Sequence, residues 1–176
     1  MVPETLASRL LLRRAASRMQ RLIMSESRGF WPSAGGGGWL VDDTLFKLLV
    51  DFEIQKAQRL RYSIAVVCVA VDGPPAGNRE ASAATVAESF ARHLRSTDAV
   101  ASWAQGWFYL LLVDAEPVHL SPIVGRLTTR LEMMGWSAGG ACYPGNAIRA
   151  DDMLRQAGDL MVRARAAGVN RLYVES

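Results

Sequence analysis

The sequence predicts an α+β fold: a central mixed β-sheet flanked by helices, containing a ferredoxin-like β-α-β-β-α-β core. Three observations predict it. Two apolar arms, residues 99–103 and 107–113, flank Gln105 and Gly106, the composition and spacing of a β-hairpin. The run SIAVVCVAV at 63–71 is apolar throughout, as a central strand covered on both faces would be. Segments with apolar residues at helical spacing surround these strands. Beyond the first helix the order is helix, strand, helix, strand, strand, helix, strand, helix, strand.

In chain order, residues 1–25 form a unit of their own. Leu11, Leu12, Ala15, Ala16, Met19, Leu22 and Ile23 share one side of a helical wheel over 5–24, and most of the arginines share the other. Such a basic amphipathic helix can lie on an anionic membrane surface, pair with a partner protein or its own copy, or cover a core. Association is the preferred use, ahead of a transit peptide, which the arginine-rich composition also imitates. Residues 26–38, ending in SAGGGG, read as a linker because glycines work against a fixed backbone. A globular domain then spans 39–176.

Within that domain a helix is expected from Asp42 to near Arg61, with Asp42 or Asp43 as N-cap and Leu45, Leu48, Leu49, Phe52 and Ile54 on its apolar face. Strand 63–71 follows and is cut by Asp72, Gly73, Pro74 and Pro75. Val86, Phe90 and Leu94 place a helix over 82–94, which leads into the hairpin. Leu120, Ile123, Val124, Leu127 and Leu131 make one stripe over 117–133. A strand at 136–142, a helix at 151–167 and a strand at 171–174 complete the chain.

The net charge of +3 is unevenly spread: residues 1–38 carry Arg9, Arg13, Arg14, Arg18, Arg21 and Arg28 against Glu4 and Glu26. The remainder is close to neutral, so the composition does not point to a nucleic-acid-binding domain. No run reaches the roughly 18 apolar residues that cross a bilayer, and Arg13 and Arg14 interrupt any signal-peptide core, which points to a cytoplasmic protein. Cys68 and Cys142 sit far apart in apolar runs and read as buried hydrophobes, with neither disulfide nor metal-ligand spacing. His93 and His119 are too isolated for a metal site or a triad. The glycines at 35–38 lack the Lys and Ser or Thr of a phosphate loop. Trp103 and Trp107 bracket the hairpin turn as packing residues, and Trp107 at an exposed tip could also anchor a partner.

The element order, the hairpin and the C-terminal run SAGGACYPGNAIRADDMLRQAGDLMVRARAAGVNRLYV together resemble the GGDEF domain of diguanylate cyclases. Ser137, Gly139 and Ala141 match that family's S-x-G-x-A. Ala157, Ala164, Gly168, Asn170 and Arg171 match its following AD-x-A-x-x-x-AK-x-x-G-x-N-R run, in which the Asp falls on Gly158. The resemblance covers the chain from about Gly38 onward and implies a nucleotidyl-cyclase-like fold.

The departures fall on the catalytic parts. Members of the family join two GTP molecules with Mg²⁺ held by carboxylates. Here the signature aligns with Ala104, Gln105, Gly106, Trp107 and Phe108, and Trp107 offers no lone pair to a cation where the family has an acid. Ala70 stands at the other metal position, with Asp72 the one carboxylate nearby. Asn78 lies nearest the place of the guanine-reading Asn, in a shortened loop. The phosphate-contacting Lys becomes Arg165, and the first Arg of G-R-N-R becomes Val169. The resulting expectation is a domain without catalytic or metal-binding residues and without a cofactor, and therefore not an enzyme.

What the resemblance leaves is R-x-x-D, Arg95 to Asp98. Arg149 to Asp152 repeats the pattern by chance, so the motif alone carries nothing. Its place does: five residues separate Asp98 from Ala104, the family's spacing between the inhibitory product site and the signature, and Arg126 matches an arginine that completes that site. An arginine fork can donate to O6 and N7 of guanine while a carboxylate accepts from N1 and N2. Arg95, Asp98 and Arg126 are thus the expected site for cyclic di-GMP as a regulatory ligand. The competing structural use is that Arg95 and Asp98 cap the helix end and pair with each other at the surface. At the level of function, the alternative to a cyclic di-GMP effector is a nucleotide-independent protein-protein interaction or scaffold module of a bacterial regulatory complex.

Overall fold

A computed structural model describes residues 31–32, 37–72, 79–103, 106–129, 131, 134–145 and 148–174 of the chain. The expected N-terminal helix and most of the stretch read as a linker lie outside the described residues. Residues 31–176 make up one compact unit.

Short strands β1 (Trp31–Pro32) and β2 (Trp39–Val41) open it. Helix α1 (Asp43–Leu60) follows, with the Asp42 side chain accepting from the Leu45 amide at 2.7 Å and Arg61 in the left-handed conformation closing its C-terminus. The remaining elements are β3 (Ile64–Val71), α2 (Arg79–His93), β4 (Ala99–Ser102), β5 (Trp107–Val113), α3 (Pro117–Thr128), β6 (Trp136–Tyr143), α4 (Ala150–Ala166) and β7 (Arg171–Val174). They build a seven-stranded sheet in the order β1-β2-β4-β5-β3-β6-β7. The pairs β2–β4 and β6–β7 are parallel and the others antiparallel, so the sheet is mixed. The four strands β4, β5, β3 and β6, connected through α2 and α3, are the ferredoxin-like core.

All eight residues of β3 are buried, because helices cover both faces of the sheet. Ala65, Val67, Val69 and Val71 share one core with Val86 and Phe90 of α2 and Leu120, Val124 and Leu127 of α3. The alternate residues Val66, Cys68 and Ala70 turn to the opposite face, where α1 and α4 pack. Helix α4 lies close upon β6: a Cβ on Gly139 would stand 2.2 Å from the Met161 amide nitrogen, so no larger residue fits there. The α4 amide at Ala150 donates to Asp51 of α1 at 3.2 Å, a cap supplied from another helix because Arg149 has none to give.

Several expectations are revised. Strands β1 and β2 were not foreseen, and β1 falls within the residues read as a linker. Helix α2 begins at Arg79, earlier than expected. Helix α3 ends at Thr128 instead of 133: the Thr128 and Thr129 hydroxyls donate back to the carbonyls of Val124 (2.8 Å) and Gly125 (2.6 Å), in competition with the next turn's amides. The buried face of α1 is Leu45, Phe46, Val50, Ile54 and Ala57, whereas Leu48 and Phe52 are 44% and 50% exposed. Each lies two residues, about 200° of helix, from a sheet-facing Phe46 or Val50.

Candidate functional site

The expected ligand residues meet at the C-terminal end of α2. The helix closes with the Leu94 amide donating to Phe90 O at 3.1 Å, and the chain then turns, with the Asp98 amide donating to Arg95 O at 2.9 Å. The Asp98 carboxylate stabilises this turn from inside. Its Oδ2 accepts from the Arg95 amide at 3.0 Å, and its Oδ1 accepts from the Val113 amide at 3.1 Å and the Thr97 hydroxyl at 3.3 Å. Asp98 therefore ties the loop before β4 to the end of β5.

Only 4% of Asp98 is exposed. Burial raises its pKa above the ordinary carboxylate value, against the lowering effect of the Val113 and Arg95 amides, the Thr97 hydroxyl and the Arg95 charge. The side chain of Arg95 lies in solvent. Arg126, exposed on α3, reaches across so that its Nη2 donates to His93 O at 3.3 Å, two residues before Arg95. All three residues thus converge, but with different roles. Two guanidinium groups face solvent at a helix C-terminus, while the carboxylate faces inward and has three donors already upon it. A carboxylate accepts about four hydrogen bonds, so little capacity is left for a base edge.

The other end of the hairpin is built differently. Trp107, Ala70, Ser137 and Arg171 lie opposite one another across β5, β3, β6 and β7. Trp107 is half-buried rather than standing at an exposed tip, and its carbonyl accepts from the Trp103 amide at 2.7 Å. Trp103 packs edge-on to Tyr109, with ring centroids 4.9 Å apart. At the end of β3, Asp72 accepts from Arg165 Nη2 at 2.5 Å. Ala104, Gln105 and Asn78 lie outside the described residues.

Among the described residues no group of three or more His, Cys, Asp or Glu is placed to hold a metal ion. His93 Nδ1 is engaged with Ser89 O at 2.7 Å, and His119 Nδ1 accepts from the Glu116 amide at 3.1 Å at the start of α3. Cys68 and Cys142 are buried free thiols whose pKa burial pushes up to about 12 and about 11. No described helix is long and apolar enough to cross a membrane.

Sequence reasoning missed Gly38 and Trp39, which bond to the last turn of α2 and to the Arg95–Asp98 loop. The Gly38 amide donates to Ala91 O at 2.7 Å, the Trp39 amide to Asp98 O at 2.9 Å and the Trp39 indole to Ser96 O at 2.9 Å. The available signal was Trp39-Leu40-Val41, an apolar triplet between a glycine run and a capped helix.

No family model and no curated protein sequence matches the chain. Solved structures do. The GGDEF domain of YfiN (or TpbB) from Pseudomonas aeruginosa is 17% identical with a TM-score of 0.70, over 77% of this chain and 96% of that one. A microbial GGDEF domain described in an interaction with cyclic di-GMP is 19% identical with a TM-score of 0.65, over 77% and 94%. The diguanylate cyclase SiaD of Pseudomonas aeruginosa, in complex with its activator SiaC, is 17% identical with a TM-score of 0.67, over 96% of this chain and 70% of that one.

This comparison corrects the expectation that the chain is not an enzyme, which rested on Ala70, Trp107 and the loop after β3. The solved structures with this fold include diguanylate cyclases, SiaD among them, so the departures at these positions do not show the chain to be inactive. The described part of the chain has the fold of the GGDEF domains of diguanylate cyclases.

Proposed function

We propose that this chain is a GGDEF-type module of cyclic di-GMP signalling that binds the dinucleotide at the C-terminal end of α2. Arg95 and Arg126 make the contacts, and Asp98 holds the loop that presents Arg95. The observation that carries this reading is the meeting, at the C-terminal end of α2, of two exposed arginines, Arg95 from the loop and Arg126 from α3, with Asp98 buried in that loop. A guanidinium donates twice to the O6 and N7 edge of guanine, and two of them neutralise the two phosphates of the ligand. A GGDEF domain of similar fold is described with cyclic di-GMP, which supports the ligand class.

Titration calorimetry with cyclic di-GMP, alongside GTP, tests the proposal. Saturable binding is expected for the wild type. Arg95→Ala should weaken it about tenfold or more through the loss of a two-pronged charged contact. Arg149→Ala, in the chance copy of the motif, should change nothing. No saturable heat at high micromolar cyclic di-GMP sinks the proposal. The competing reading is then a protein-interaction module, which the exposed Leu48 and Phe52 on α1 favour.

A further inference from the structure

Residues 38 and 39 lead into and begin β2, and their polar groups bond to the end of α2 and to the loop that carries Arg95 and Asp98. Three hydrogen bonds run in one direction: Gly38 N–H to Ala91 O, Trp39 N–H to Asp98 O, and Trp39 Nε1–H to Ser96 O. Strand β2 continues the contact by pairing Trp39, Leu40 and Val41 with Ala99, Val100 and Ala101 of β4. The fit is close enough to demand glycine. A Cβ on Gly38 would meet Leu94 Cβ at 2.8 Å, Asp98 O at 2.9 Å and Arg95 O at 3.1 Å. Two of those three atoms are backbone oxygens of the motif itself and cannot be moved without moving the loop.

We infer that Gly38 and Trp39 are the output contact of the Arg95–Asp98 loop: a ligand that reshapes the loop shifts β2, and with it β1, which pairs with β2. The inference rests on the proposed nucleotide site for its ligand, but its mechanical basis is independent of any ligand. The carbonyls of Ser96 and Asp98 belong to a turn whose geometry Asp98 sets through the Arg95 and Val113 amides. Ordering or tilting that turn therefore changes acceptors that residue 39 uses directly. Linkage makes the effect reciprocal: whatever engages or pulls β1 and β2 alters affinity at the loop by the same factor. The proposed site is then read out at the β1–β2 edge of the sheet.

Hydrogen exchange on the full chain tests this in two arms. Without ligand, Trp39→Phe keeps an aromatic ring but removes the indole donor. It should speed exchange of the amides at 94–98 about tenfold while leaving 64–71 at wild-type rates. Asp98→Asn should speed exchange of the amides at 38 and 39 in the same way. If neither variant alters exchange across the contact, the inference is overturned whether or not a nucleotide binds. With cyclic di-GMP added to the wild type, slowed exchange is expected at both 94–98 and 38–41. Protection confined to 94–98 overturns the output contact and leaves the nucleotide site standing. Protection nowhere overturns both.

Discussion

The two ends of the β4–β5 hairpin use polar groups in opposite ways. At the loop end, the Asp98 carboxylate is buried and committed to the fold, bonded to amides at Arg95 and Val113, while Arg95 and Arg126 stay in solvent. At the other end, the cross-strand row of Trp107, Ala70 and Ser137 places an indole, a methyl and a buried hydroxyl side by side, and the nearby charges, Asp72 and Arg165, pair with each other near the surface. The loop end therefore sets two solvent-facing guanidinium groups, Arg126 donating to the His93 carbonyl, beside a turn that Asp98 stabilises, an arrangement that suits anion binding. At the other end, the guanidinium of Arg165 already has a partner.

The largest break in this contrast is Asp98→Ala. It leaves two backbone amides without their acceptor beneath the loop, and each buried unsatisfied donor costs about 1 to 3 kcal/mol, so a loss of about 3 kcal/mol is expected in urea unfolding. Cyclic di-GMP binding should fall with it, because the turn that presents Arg95 is lost. Asp98→Asn separates the terms, since one amide oxygen can still accept. The pH dependence adds a signature of its own. Burial raises the folded-state pKa of Asp98, so its contribution to stability is greatest below the unfolded carboxylate pKa of about 3.9 and is lost as pH rises through the raised folded value. The Asn variant should lack that slope.

Next in size are the cations. Arg126→Ala should weaken cyclic di-GMP binding about tenfold, or 1.4 kcal/mol, and leave the melting temperature nearly unchanged because the side chain is exposed. A drop in stability as large as that of Asp98→Ala would mean that the bond to His93 O matters more to the fold than to the ligand.

How much of this could be read from residues alone follows from the range of the interactions. Strand β3 and the hairpin were legible because eight consecutive apolar residues and a Gln-Gly break leave few alternatives. The caps of α1 were legible too, since Asp42 acts three residues away. Its buried face was not: Leu48 and Phe52 are as apolar as Phe46 and Val50, and only the sheet decides which side turns inward. The R-x-x-D spacing located the loop, but the inward turn of Asp98 depends on the Val113 amide, fifteen residues distant. Strands β1 and β2 are too short to show a period, and what stabilises them is pairing, β2 with β4 and β1 with β2.

At the opposite end of the hairpin, Ser137→Ala sharpens the comparison. The Ser137 hydroxyl is buried without a hydrogen-bond partner among the described residues, so its removal should raise stability by up to about 1 kcal/mol. A loss instead would show that the hydroxyl is satisfied in solution.

The smallest effect belongs to the Asp72–Arg165 pair. At 2.5 Å it is the shortest ion pair among the described residues, yet its side chains are 36% and 50% exposed. Exposed pairs recover little after solvent screening and side-chain ordering, so Asp72→Asn should cost well under about 1 kcal/mol, a difference that fades further at 1 M salt. The contrast with Asp98→Ala is the point of the measurement. Both substitutions remove one carboxylate, but Asp98 is buried and serves two part-buried amides, whereas Arg165 loses a partner that solvent replaces. If Asp72→Asn were to destabilise the domain as much as Asp98→Ala, then the pair would be anchoring the end of β3 to α4, and the two ends of the hairpin would be alike.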